Sequence, residues 1–262
     1  MTNATMTRPD RTAGTPSPPV SLAGIPFGRL LRVEWRKATD TRAARWLLIL
    51  VAASTVGMML APVLAPAKID QTYSSYLGFA GVGLSILLPV VSILTLTSEW
   101  SQRTVLTTFT QEPRRSRVIN AKVAVSLLLA AAAVVFGGLV TAAGLGAAAA
   151  SGRELDANLN LGVVLGYLLY VLLNVLMGVA LGALFHNSAA AIALSFALPA
   201  AFAVLGYAVS SLAEWIDSST TFEWVLQGEW SGHLPQITVS VAVWVAIPLA
   251  AGLFRTLRRE IN

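Results

Sequence analysis

Six stretches of the chain contain no Asp, Glu, Lys or Arg: Trp46–Ala65, Tyr73–Thr97, Val123–Ala150, Leu161–Phe185, Ser188–Val209 and Gln236–Phe254. A hydrocarbon layer about 30 Å thick needs roughly 20 apolar residues in helical form, and each stretch reaches that length. Lipid offers no partner to an open backbone, and the runs lack the strict alternation of a barrel strand, which leaves helix. Only Phe185-His186-Asn187-Ser188 separates the fourth run from the fifth, so a tight hairpin turn is expected there. The pattern predicts an all-α polytopic membrane protein with six transmembrane helices.

Ahead of the first span the period changes. Over Phe27–Arg45, Phe27, Leu30, Leu31, Trp35 and Ala38 share one side at 100° per residue, with Arg29, Arg32 and Arg36 opposite. That spacing predicts an amphipathic helix lying on the inner membrane face, although Glu34 interrupts its apolar side. It serves either as a basic anchor or as a lever on the first span. Residues 1–26 are rich in Thr, Pro and Ala without a continuous apolar run, so they read as a flexible cytoplasmic tail rather than a secretion signal. Residues 27–262 then form the six-span domain.

Charge fixes the expected orientation. With the N-terminus inside, the inner segments carry 16 Lys and Arg and the outer ones only Lys68 and Arg153, so both termini are expected in the cytoplasm of a plasma-membrane protein. The composition agrees: 12% of residues are charged, against about 25% in a soluble domain. The net charge of +5 follows this topology rather than forming a nucleic-acid patch. Cysteine is absent, and His186 and His233 stand 47 residues apart, so thiol chemistry and a paired-histidine metal site are excluded and no cofactor is expected.

The segment after the second span holds the most chemistry. Glu99 to Glu112 is compatible with helix, Pro113 ends it, and Arg114, Arg115 and Arg117 follow before Lys122 opens the third span. Val105, Leu106 and Phe109 make a small apolar patch on it. Here the chain resembles the permease subunit of an ATP-binding-cassette exporter, of the type-two class associated with drug, antibiotic and polysaccharide export. The resemblance rests on Glu99-Trp100, Thr104, Pro113, Arg115 or Arg117, and Lys122, taken with the amphipathic start, six spans and the Leu181–Ile192 hairpin. Gly commonly precedes that Thr in the family, whereas Arg103 stands here, which predicts a stiffer, more basic helix. The resemblance implies that Glu99, Trp100, Arg103, Thr104, Phe109, Pro113, Arg114, Arg115 and Arg117 couple the membrane domain to a separate ATPase. It further implies two ATPase copies and a second permease, identical or a sister subunit. None of the three lysines lies in the Gly-Lys-Ser/Thr context of a P-loop, so another chain would hydrolyse ATP.

Within the spans, the lack of ionisable groups weighs against a proton-coupled carrier. Gly162, Gly166, Tyr170, Asn174, Gly178 and Gly182 form an i+4 series that drifts around the fourth helix, giving two packing patches rather than one. Asn174, Gly178 and Gly182 serve packing or border a pathway. Pro89, Pro199 and Pro248 permit kinks. Residues 210–235 hold Glu214, Asp217, Glu223 and Glu229 but no cation, with Trp215, Phe222, Trp224 and Trp230 among them. Leu212, Trp215 and Ile216, then Phe222, Val225 and Leu226, mark two short amphipathic pieces joined by a turn at Ser218–Thr221. They read as an interfacial loop or, by resemblance, as an outer gate containing Trp215, Phe222 and Trp224. Two other readings remain: a passive channel or assembly factor, and an intramembrane serine protease at Ser85, for which neither histidine is suitably placed.

Overall fold

A computed structural model describes residues 25–156, 158 and 160–258. The predicted tail therefore lies almost wholly outside the described residues. Among those described, the chain is 86% helical without strands, and six helices are long and apolar enough to cross a membrane. It is an all-α, multi-pass membrane protein.

Helix α1 (Phe27–Asp40) precedes the first span, α2 (Arg42–Leu64). The expected single helix to Arg45 is broken at Thr41, whose extended backbone lets its hydroxyl accept the Ala44 N–H at 3.2 Å and cap α2. The second span α3 (Tyr73–Ser101) leads through a short helix α4 (Val105–Gln111) into α5 (Arg115–Ala150). Helix α5 starts eight residues before the predicted span, and its 36 residues extend about 54 Å at 1.5 Å each. It is thus longer than a hydrocarbon layer of about 30 Å requires. The fourth and fifth spans are α6 (Leu161–Phe185) and α7 (Ser188–Ala208). Their hairpin is as tight as expected, with His186 left-handed at φ 51° and Asn187 accepting the Ala190 N–H. Helices α8 (Ser210–Ile216) and α9 (Ser218–Gln227) form the next hairpin. The last span joins α10 (Leu234–Val241) to α11 (Ile247–Arg258) through a π turn at Ala242–Ala246, just ahead of Pro248.

Helices α3 and α6 form the centre of the bundle, with 61% and 56% of their most apolar stretches buried, against 11% for α7. Their union depends on small residues, since lipid is as apolar as the core and only close packing favours helix on helix. A Cβ on Gly178 would collide with the Pro89 carbonyl, and one on Gly182 would press Leu96 and Ile93 of α3. A Cβ on Gly166 would instead strike the Val225 carbonyl of α9, and the backbone of Gly162 lies against Gly228. The drifting glycine series thus makes two patches, one toward α3 and one toward α9.

Alternating spans place α1, α4, the first turns of α5, the α6–α7 turn and the end of α11 at one pole, called here the basic end. The α8–α9 hairpin lies at the other, the acidic end.

Candidate functional site: the basic end

The residues after the second span do not form one helix. Helix α3 stops at Ser101, Arg103 adopts φ 57°, and the Thr104 N–H turns back to the Glu99 carbonyl at 2.9 Å. Only then does α4 begin. Arg103 thus occupies the left-handed region that glycine tolerates without cost. The expectation of a stiffened helix at this position is corrected: the chain breaks there, and α4 leaves α3 as a separate short rod.

Behind that rod lies a closed ring of four charges. The Lys122 ammonium donates to Glu34 Oε2 at 2.8 Å and lies 2.7 Å from Glu99 Oε2. Lys37 donates to Glu34 Oε1 at 2.7 Å and to Glu99 Oε1 at 2.9 Å. Each carboxylate therefore bridges both lysines, and Lys122 also donates to the Thr95 carbonyl at 3.0 Å. Glu34, Glu99 and Lys122 are buried, at 1%, 7% and 3% exposure, while Lys37 faces outward. The ring joins α1, α3 and α5 with no net charge. Burial alone would lower the Lys37 pKa, but hydrogen bonds and charges from Glu34 and Glu99 outweigh it and hold it above the ordinary lysine value.

Glu34 is therefore no flaw in the amphipathic face. Leu30, Glu34 and Ala38 make the stripe of α1 that enters the protein, whereas Phe27 and Trp35, expected beside Leu30 and Ala38, stay exposed. The signal was available: a lone carboxylate on an apolar helical face, and a lone lysine at the mouth of a span.

A second set of contacts fastens the start of α5. Glu112, 3% exposed, pairs with Arg117 at 2.7 Å, and Arg117 also donates to the Ile25 carbonyl at 2.6 Å. Arg115 donates to the Thr256 carbonyl at 3.2 Å, while the Thr256 hydroxyl bonds His186 Nε2 at 2.6 Å. Trp100 lies against the His186 ring, 4.4 Å between centroids. Ser101 and Ser188 share a hydroxyl bond at 2.7 Å.

The nine residues singled out by sequence consequently divide into two groups. Glu99, Trp100, Arg115 and Arg117 turn inward as fasteners of the bundle. Arg103, Thr104, Pro113 and Arg114 lie exposed on or beside α4, together with Leu106 at 55% exposure. Phe109 is on α4, but its side chain lies outside what is described. Val105, the first residue of the rod, is buried. A cavity of about 270 Å³ adjoins the ring, with Glu34, Lys37 and Glu99 at one wall and Leu47, Val91 and Leu94 at another.

At the acidic end, Asp217 divides the hairpin and caps α9, accepting the Ser219 N–H at 3.0 Å and the Thr220 hydroxyl at 2.9 Å. The expected turn at Ser218–Thr221 is in fact the first turn of α9, because Asp217 caps the helix there. Phe222 points into the bundle, Trp215 is exposed, and Trp224 stacks on His233 at 3.9 Å. The three residues read by resemblance as a gate thus differ in setting: one buried, one exposed and one stacked on a histidine. Asn174 is buried and donates to the Tyr170 carbonyl at 2.9 Å. The Ser85 hydroxyl donates to Val82 of its own helix, while His186 and His233 are engaged at opposite poles. Among the described residues, no group of His, Asp and Glu gathers as a metal site would require.

No model of a known protein family matches the chain, and no curated protein matches it significantly.

Proposed function

We propose that the chain is the membrane-spanning permease subunit of an ATP-binding-cassette exporter, driven by a separate ATPase that docks at the basic end. In this reading the basic end is cytoplasmic, a placement that the distribution of Lys and Arg supports, and the membrane is the plasma membrane. Two such permeases, identical or sister chains, assemble with two ATPase subunits around the pathway.

The observation that carries the reading is the ring of Glu34, Lys37, Glu99 and Lys122 lying behind α4. An exposed helix of seven residues alone is a loop decoration. Placed at the end of α3, and backed by an ionic joint that fuses α1, α3 and α5, it can transmit displacement to three membrane elements at once. The spans themselves contain no ionisable relay in their apolar stretches, which suits energy that arrives mechanically.

The test is co-purification of the full-length protein from native membranes. A stand-alone ATPase is expected to accompany it, and Leu106→Glu with Arg114→Glu is expected to abolish the association while the protein remains monodisperse. These positions are exposed, so the double variant leaves the ring and the α5 fasteners intact. Absence of any ATPase, or an association indifferent to the double variant, would end the coupling role of α4.

A further inference from the structure

A cavity of about 300 Å³ lies beneath α9, between α3, α6 and α7. Its polar wall carries Ser85, Tyr170, Asn174 and Ser195, and Phe222 and Glu223 of α9 close it toward the acidic end. It adjoins a second cavity of about 450 Å³, with which it shares Val82, Glu223 and Leu226, and on whose wall Glu229 also stands. Among the described residues, neither cavity is lined by a lysine or an arginine. The two cations of this pole are elsewhere: Arg153 is tied to the Pro62 and Val63 carbonyls at 3.3 and 2.8 Å, and Lys68 ends the short turn after α2.

The acids of the hairpin are not equivalent. Asp217 is buried and fully used as the cap of α9. Glu223, by contrast, is exposed, and its hydrogen bond is to the Gln227 amide at 3.0 Å, which orients the carboxylate without neutralising it. A negative charge stands where the two cavities share lining, beside aromatic and uncharged hydrogen-bonding side chains.

We infer that these joined cavities form a recognition site for amphipathic organic cations, with Glu223 as the counter-charge. A cation is drawn to a carboxylate at the cavity mouth and to the aromatic side chains of Phe222 and Tyr170 in the same lining. Its apolar body fits the wall formed by α3, α6 and α7, and Asn174, Ser85 and Ser195 supply orientation. An anionic or zwitterionic compound would bring its own carboxylate or phosphate beside Glu223 and Glu229 with no cation to receive it. The inference names the substrate class of the pathway proposed above and rests on that reading for its transport role, but not for binding itself.

The experiment uses the full-length chain in lipid nanodiscs, with tetraphenylphosphonium as the probe, measured by equilibrium dialysis against empty nanodiscs. Saturable binding is expected, weakened at least about tenfold by Glu223→Gln. Glu223→Asp keeps the charge and is expected to stay within about threefold, as is Glu154→Gln, the same charge change at an exposed position lining neither cavity. Tetraphenylborate, of equal shape and opposite charge, should not compete. Equal binding by Glu223→Gln and the parent, or competition by tetraphenylborate, overturns the site. Because no ATPase is present in this measurement, its failure leaves the coupling reading standing, and failed co-purification leaves the cation site standing.

Discussion

The two poles of the bundle use charge in opposite ways. At the basic end, Glu34, Glu99 and Lys122 are buried and satisfied by one another, so charge acts as a fastener. At the acidic end, Glu223 lies exposed with an amide for company, so charge acts as an offer. The difference lies in what each position costs. A buried ion is tolerated only when its partners are already in place, and once they are, the arrangement resists change. An exposed carboxylate costs little to keep unpaired and remains able to pair with something from outside. Rigidity belongs to the first pole and selectivity to the second.

The largest expected effect comes from breaking the fastener. Lys122→Met leaves two buried carboxylates with only Lys37 between them and is expected to cost about 3–5 kcal/mol. It should appear as a large loss of thermal stability by size exclusion after heating, and Glu34→Gln on the same background should recover part of it. A Lys122→Met protein that melts with the parent would reduce the ring to decoration.

At the other pole, Asp217→Ala removes the cap of α9 and is expected to cost about 1 kcal/mol, within a range of roughly 0.5–2. Hydrogen exchange should quicken in residues 218–227 and leave α1 and α5 protected. Global loosening would show that the hairpin is as structural as the ring.

A smaller effect, of opposite sign, is expected at Arg103. Replacing it with Gly relieves a left-handed backbone worth about 1–2 kcal/mol, less part of that for the freer unfolded chain. A gain of a few degrees or less in melting temperature is expected, and a loss would mean that the Arg103 side chain contributes more than its backbone costs.

The smallest concerns pH. The folded pKa of Lys37 is raised above 10.5, so its contribution is fully present below that value and fades as pH rises through the folded one. From neutrality to about pH 10 the melting curves of the parent and of Lys37→Met should therefore run parallel, and they should diverge above it. Divergence near neutrality would assign the titration to another group.

Most of the architecture was legible in the sequence because lipid permits so few answers. A stretch such as Leu161–Phe185, without a charge and long enough to cross, has no other fate. The faces of the helices were less legible, since apolar residues contact lipid and protein alike. Leu30 and Trp35 look equivalent by period, yet one is buried and the other exposed. The break at Arg103 was not legible, because nothing in the residue's own preferences favours a left-handed turn. Glu34 escaped for the converse reason. A local pattern marks a carboxylate on an apolar face as a fault until Lys122, far along the chain, supplies its partner.

That separation shapes how the protein is made. Glu34 and Lys122 are 88 residues apart, so a nascent chain emerges with its first helix complete and its lock still unsynthesised. The ring can close only once the chain has been made through Lys122, at the mouth of the third span, on the side where Glu34 and Glu99 already stand. Closure of the ring thus reports that the first two spans crossed as a pair, because a chain in which only one of them crossed would leave Glu34 on the opposite side from Glu99 and Lys122.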